Sequence, residues 1–196
     1  MTLFLVLVGV SLAGDLLSKH FVFRRILDAP ATCRRLRARA DVARGDKEPS
    51  RALLRQVPSR RLMPGVRFTL STNPGGVFGL ALPRWAIAVT TVAVIALVGY
   101  FFAASPARSW GLHAALALIL SGALGNLYDR LLGEVALPVA GFAPIRGQVR
   151  DFIDCSALQY PWVFNVADVL LVVGAGVLVL HWLRQGRREA ARRQRG

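Results

Sequence analysis

The chain has few of the side chains on which metal and nucleophile chemistry usually rest. Its 196 residues include three histidines. These, His20, His113 and His181, stand on three separate apolar segments with no HExxH or similar spacing, so no metal and no cofactor is expected. No order of Ser, His and Asp, or of Cys and His, stands out, which disfavours an activated serine or thiol. The two cysteines, Cys33 and Cys155, lack metal-ligand spacing. Nothing in the sequence brings them within bonding distance, and a free pair is expected. Acids are scarce as well: 11 Asp and Glu stand against 25 Lys and Arg, a net charge of +14. There is no internal repeat, and no low-complexity stretch beyond an arginine-rich tail.

What the chain has in abundance is apolar surface. Hydrophobic residues make up 54% of it and the mean hydropathy is +0.46, on the membrane side of the range for globular domains. Trp85 to Ala104 contains no ionisable group except Tyr100, and Trp110 to Tyr128 carries only His113. Each is long enough to cross a hydrocarbon core as a helix. Trp162 to Leu183 is equally apolar apart from Asn165, Asp168 and His181, and Met1 to Gly14 opens a run that continues through Asp15 and Lys19 to Phe23. A cleaved signal peptide would also begin with a short apolar run, here ending in Ser11-Leu12-Ala13. Its positively charged start is missing, however, and apolar residues resume after Lys19. The expectation is a single-domain, all-α membrane protein with four transmembrane helices, at about 2–23, 85–104, 110–128 and 162–183.

Charge sets the expected orientation. Six arginines crowd the tail at 184–196, which argues for a cytoplasmic C-terminus, and an even number of spans then puts the N-terminus on the same side. Arg108, in the short second loop, agrees. The first loop runs against this rule, because Arg24 to Arg84 carries 14 Lys or Arg and would face outward. A loop of that length is near the limit beyond which charge stops governing translocation. Residues 24–65 read as a basic insertion. Within it Leu36 to Arg39 and Ala52 to Gln56 could form short amphipathic helices on anionic headgroups, or the whole could be a mobile solvated loop. Val66 to Ser71 alternates apolar and polar residues, and Asn73-Pro74-Gly75-Gly76 follows with turn chemistry, which predicts a small extracytoplasmic β element. The third loop, Leu131 to Pro161, carries Phe142, Ile145, Val149 and Phe152 and is expected to pack against that strand.

Polar groups inside apolar segments are costly and mark function by default. Gly122, Asn126, Asp129 and Arg130 recur at steps of three and four, on one face of the third helix. Asn165 and Asp168 stand three apart at the start of the fourth. Asp15 and Lys19 stand four apart on the first and can pair. The end of helix three and the start of helix four meet at one membrane face, and Asp151 lies in the loop between them, flanked by Phe152 and Ile153. Two carboxylates sharing a site split their proton affinities, so one can activate a water while the other donates a hydrogen bond to a developing oxyanion. Spacing alone leaves several acid pairs open. Asp129 beside Arg130 can be a simple ion pair, Asp168 a helix-start acid with Asn165 as its cap, and Asp15 with Lys19 a mutually neutralising pair.

Five blocks narrow this. DLLSK at Asp15 to Lys19, NPGGVFG at Asn73 to Gly79, GNLYDR at Gly125 to Arg130, RDFID at Arg150 to Asp154 and FNVAD at Phe164 to Asp168 resemble, in order and in placement against the helices, the signature blocks of lipoprotein signal peptidases. The resemblance to this signal peptidase II family implies an aspartic endopeptidase with Asp151 and Asp168 as its catalytic pair. It implies that Asn73, Asn126, Arg130 and Asn165 hold substrate backbone or orient the pair, with Asp15, Lys19, Asp129, Gly75 and Gly122 in structural support. The implied reaction removes the signal peptide from a diacylglyceryl-modified prolipoprotein, within the bacterial cytoplasmic membrane and near its outer face. Lipid-modified precursors and membrane lipids are the implied partners, nucleic acid is not one, and a monomer is expected. Val77 stands where the family usually has Ala, Val169 where Ser is common, and both extracytoplasmic loops are longer than usual. The competing reading is a non-catalytic small transporter or lipid-binding protein that uses Asp15, Lys19, Asp129 and Arg130 as an ion path. Which aspartate is acid and which is base is left open.

Overall fold

The computed structural model describes the backbone of residues 1–77, 80–81 and 83–194; Phe78 and Gly79 of the Asn73 block lie outside the described residues. Four of its helices are long and apolar enough to cross a membrane, and they follow the four apolar runs of the sequence: α1 (Thr2–Leu27), α4 (Arg84–Ala104), α5 (Trp110–Leu131) and α6 (Val166–Arg193). Between α1 and α4 lie α2 (Pro30–Arg44), α3 (Pro49–Leu54), β1 (Arg60–Met63), β2 (Val66–Asn73), and the short strands β3 (Gly76–Val77) and β4 (Leu80–Ala81). Between α5 and α6 come β5 (Glu134–Val135), β6 (Ile145–Arg146), β7 (Val149–Asp154), a 3-10 turn (Ser156–Leu158) and β8 (Val163–Phe164).

Helix α5 is the centre of the bundle. It packs on α6, α1 and α4, and its inner face is made of small residues, among them Ala115, Ala117, Ser121, Gly122, Ala123 and Gly125. In lipid there is little hydrophobic drive to bring helices together, so close backbone approach has to supply the packing. Gly122 shows how close that approach is. A Cβ there would lie 2.5 Å from the Ala167 carbonyl oxygen and 2.7 Å from Leu171 Cγ on α6, and a Cβ on Gly125 would collide with the Asp15 carboxylate of α1.

A four-stranded antiparallel sheet in the order β1-β2-β7-β8 caps the end of the bundle where α1 and α5 finish and α6 begins. Its two halves come from the first and third loops, so the strand seen in Val66 to Ser71 does pair with the third loop. Ser71 stands opposite Asp151, and Asn73 opposite Val149. The expected loop at 24–65 is folded. Helix α1 runs four residues past Phe23, and α2 and α3 bury Leu36, Ala43, Leu53 and Leu54 in one cluster with Phe23, Ile26, Leu70, Ile145 and Phe152. At the other boundary α6 starts at Val166 rather than near Trp162, because Val163 and Phe164 are pairing with β7. It then continues through the basic tail to Arg193.

Candidate active site

Three elements deliver the polar side chains to the junction of sheet and bundle. Strand β7 carries Asp151, which is 4% exposed. The first turn of α6 carries Asp168. The last turns of α5 carry Asn126 and Asp129, both buried. Burial takes Asp151, Asn126 and Asp129 largely out of contact with solvent, so each must find a protein partner.

Asn165 sits where the three elements meet and is fully buried. Its amide nitrogen donates to Asp151 Oδ1 at 2.5 Å and to Asn126 Oδ1 at 3.2 Å. Its side-chain oxygen accepts the Asp168 N–H at 3.1 Å, while its own backbone N–H donates to Asp168 Oδ2 at 3.2 Å. The helix-capping reading of Asn165 is therefore correct, and its amide group also reaches Asp151. Asn126 closes the circuit by donating from Nδ2 to Asp168 Oδ1 at 2.8 Å. Both carboxylates are thus held by one pair of asparagine amides, oriented so that their N–H groups face the acids.

Burial pushes the Asp151 carboxyl up from the ordinary carboxylate range to about 8, and the negative charge of Asp168 adds to the effect. The hydrogen bond from Asn165 and the Lys19 charge act in the opposite direction and do not offset it. Asp151 therefore holds its proton at neutral pH.

Behind the asparagines lies a cationic support. Lys19, Asp15 and Asp129 are all fully buried. Lys19 Nζ donates to Asp15 Oδ2 at 2.7 Å and Asn126 Oδ1 at 3.0 Å, and lies 3.2 Å from Asp129 Oδ2. Asp15 Oδ1 in turn accepts the N–H of Ala167 at 2.8 Å, which ties α1 to the first turn of α6. The pairing of Asp15 with Lys19 is as the spacing predicts.

Asp129 is different. Its cations are Lys19 and Arg150, and the adjacent Arg130 points elsewhere. Arg150 donates from its backbone N at 3.0 Å and its Nε at 2.8 Å to the two oxygens of Asp129, with a further 2.6 Å bond from Nη2. The RDFID block does not announce this role for Arg150; its signal is a buried acid on α5 that needs a second cation. Arg130 donates from Nη1 to the Asn126 carbonyl oxygen at 3.2 Å, and its buried Nε has no acceptor among the described residues.

The remaining predicted residues take up supporting positions. Asn73 is two residues along β2 from Ser71, so the two share the strand face that carries the Asp151 register position. Its Oδ1 accepts the Gly75 N–H at 2.9 Å. Gly75 has φ +142, a region open to glycine, which the turn at Asn73 requires. Gly122 is a helix-contact residue and lies one turn below Asn126.

Comparisons with known proteins agree with the blocks. A family model described as signal peptidase (SPase) II matches residues 7–184. The lipoprotein signal peptidase of Desulfitobacterium hafniense is 37% identical over 122 residues, covering 62% of this chain and 71% of that one. That of Syntrophotalea carbinolica is 35% identical over 125 residues, covering 61% and 69%. Among solved structures, a bacterial membrane enzyme determined by the in meso method at 2.3 Å superposes with a TM-score of 0.65 over 95% of this chain and 90% of that one. At 20% identity that likeness speaks for the fold.

Proposed function

Because the chain belongs to the signal peptidase II family, we propose that Asp151 and Asp168 are the pair with which it hydrolyses its substrate. The protein is a multi-pass bacterial membrane enzyme, an aspartic endopeptidase that removes signal peptides from lipoprotein precursors. The observation that carries the proposal is the bridge of Asn165 and Asn126 across the two carboxylates, one of them raised to about 8.

In the reaction Asp168 takes a proton from a water, and the water oxygen attacks the scissile carbonyl carbon. Asp151, which enters the step protonated, donates a hydrogen bond to the carbonyl oxygen as negative charge develops there. Collapse of the tetrahedral intermediate breaks the C–N bond, and the proton held by Asp168 passes to the leaving nitrogen. Asn165 and Asn126 keep the acids in register throughout. Arg130, with a buried Nε free of acceptors among the described residues, is suited to hold a substrate carbonyl. Asn73, at the open end of β2, is suited to hold the substrate backbone as it runs past the sheet.

The substrate carries a diacylglyceryl group and is cut just before its lipidated cysteine. A site at the end of the bundle suits such a molecule, since a signal helix and lipid tails can approach it sideways from the bilayer. Both aspartates come from one chain, so a monomer suffices. The basic tail supports a topology with both termini in the cytoplasm and the aspartates near the outer face. Incubating the purified chain with a lipidated precursor tests the function. Two products are expected, the larger beginning at the modified cysteine by mass spectrometry. An intact precursor, under conditions where the protein stays folded, would overturn the reading.

A further inference from the structure

Away from the aspartates, on the other side of α1, lies an open groove of about 750 Å³ between the end of α1 and strand β1. Four arginines line it: Arg24 and Arg25 from α1, Arg60 and Arg61 from β1. Phe21, Ile26, Leu62 and Phe68 supply apolar wall, and the two other titratable groups that face it are His20 and Asp28. Arg24 lies 3.7 Å from Asp28, so part of its charge is answered. Arg25, Arg60 and Arg61 make no ion pair among the described residues.

We propose that this groove binds an anionic membrane phospholipid, with its headgroup phosphate among Arg25, Arg60 and Arg61 and an acyl chain along the apolar face of α1. Charge complementarity and position on the membrane helix both support this occupant. Leu17 and Phe21 stand one turn apart on α1 and are 66% and 62% exposed, which makes them bilayer-facing surface. Arg25 follows one further turn along, its guanidinium 5.9 Å from the centre of the Phe21 ring. The stripe therefore passes from apolar to cationic where a bilayer passes from acyl chain to phosphate. β1 brings the two other arginines to the same height from the edge of the sheet.

Arginines on an edge strand also discourage unwanted strand pairing. That role requires neither Arg25 nor a cavity. An acidic peptide would satisfy the charges and leave the apolar wall and the exposed stripe below it unanswered. The groove, within the roughly 300–1,000 Å³ of small-molecule sites, has room for one headgroup while the acyl chains lie along α1.

Native mass spectrometry of the full chain in detergent, with dioleoyl phosphatidylglycerol or dioleoyl phosphatidylcholine added, tests the proposal. The chain is expected to retain phosphatidylglycerol preferentially. Each basic side chain near anionic headgroups contributes roughly a factor of five, so R25Q/R60Q/R61Q is expected to lose on the order of a hundredfold in that affinity. R34Q/R35Q/R37Q, on the exposed side of α2, is expected to leave it unchanged. Equal retention of the two lipids, or a loss caused by the α2 variant instead, would overturn the proposal. So would full displacement by inorganic phosphate, which would make the ligand a free anion. Should the groove variant fail to fold, a photoactivatable phosphatidylglycerol on the unaltered chain decides the matter. Adducts at residues 17–29 and 58–63 support the site, and adducts spread over the other helices refute it.

Discussion

At the scale of single residues, Asn165 does three things: its side-chain oxygen caps α6, its backbone N–H aligns Asp168 and its side-chain amide donates to Asp151. Asp151 needs that donor because it lies on a buried strand beside a second acid. The raised affinity of Asp151 for its proton has a pH signature with a definite sign. An ordinary aspartate titrates near pH 4 in the unfolded chain. With a folded value of about 8, the native state binds the extra proton throughout the interval between, so stability falls as pH rises from about 4 to about 8. Asp151→Asn removes that dependence, and its melting temperature is expected to exceed that of the unaltered protein at pH 8 by more than at pH 5. Activity follows the same group. Above pH 8, kcat is expected to drop about tenfold per unit as Asp151 loses its proton, and a rate still rising at pH 9 would remove Asp151 from the acid role.

At the scale of elements, the question is what holds β7 against α5. The answer is the Arg150 fork on Asp129, reinforced by Lys19 from α1. It fixes the residue next to Asp151, and breaking it leaves a buried carboxylate with one cation in place of two. Breaking buried pairs of this kind costs about 3 kcal/mol or more. Arg150→Gln is therefore expected to lower the melting temperature and also kcat, with KM little changed, while Arg150→Lys restores part of both. A kcat equal to that of the unaltered chain would show that the strand is positioned by its β2 and β8 partners alone. The Arg150 contact could not be read from the sequence because Arg130 stands next to Asp129 and competes for it on paper, whereas Arg150 is 21 residues away. The Asp15 and Lys19 pair was readable, since four residues on a helix is a contact distance. Helices α2 and α3 were readable only as one of two alternatives. Leu36, Ala40 and Ala43 form a buried stripe, but the cluster that Leu36 and Ala43 join is built with Phe23, Leu70 and Phe152 from three other elements.

At the scale of the whole molecule, the four spans were the most legible feature, because lipid demands about 20 apolar residues per crossing and tolerates few exceptions. Their order brings the end of α5, the start of α6 and the two-part sheet to one end of the bundle. Four of the five blocks, scattered over 154 positions from Asp15 to Asp168, become one hydrogen-bonded network there, and the Asn73 block joins the same sheet through β2. Orientation is the part of the account that rests on charge alone. The 14 basic residues from Arg24 to Arg84 are spread over the end of α1, both short helices, the strands β1 and β2, the turns between them and the start of α4, in a segment near the length beyond which charge stops governing translocation. Cys33 and Cys155 are both free and half-buried. A thiol reagent that cannot cross membranes is expected to label them in intact spheroplasts, and labelling that requires lysis would reverse the topology.

The pair of aspartates is tested most directly by the turnover number of D151N and D168N on a lipidated precursor, each in a preparation whose melting transition and helical spectrum match a folded protein. Removing either the base or the oxyanion donor is expected to lower kcat by about a hundred- to ten-thousandfold. A turnover within tenfold of the unaltered enzyme in either variant would mean that the carboxylates bridged by Asn165 and Asn126 do not carry the reaction.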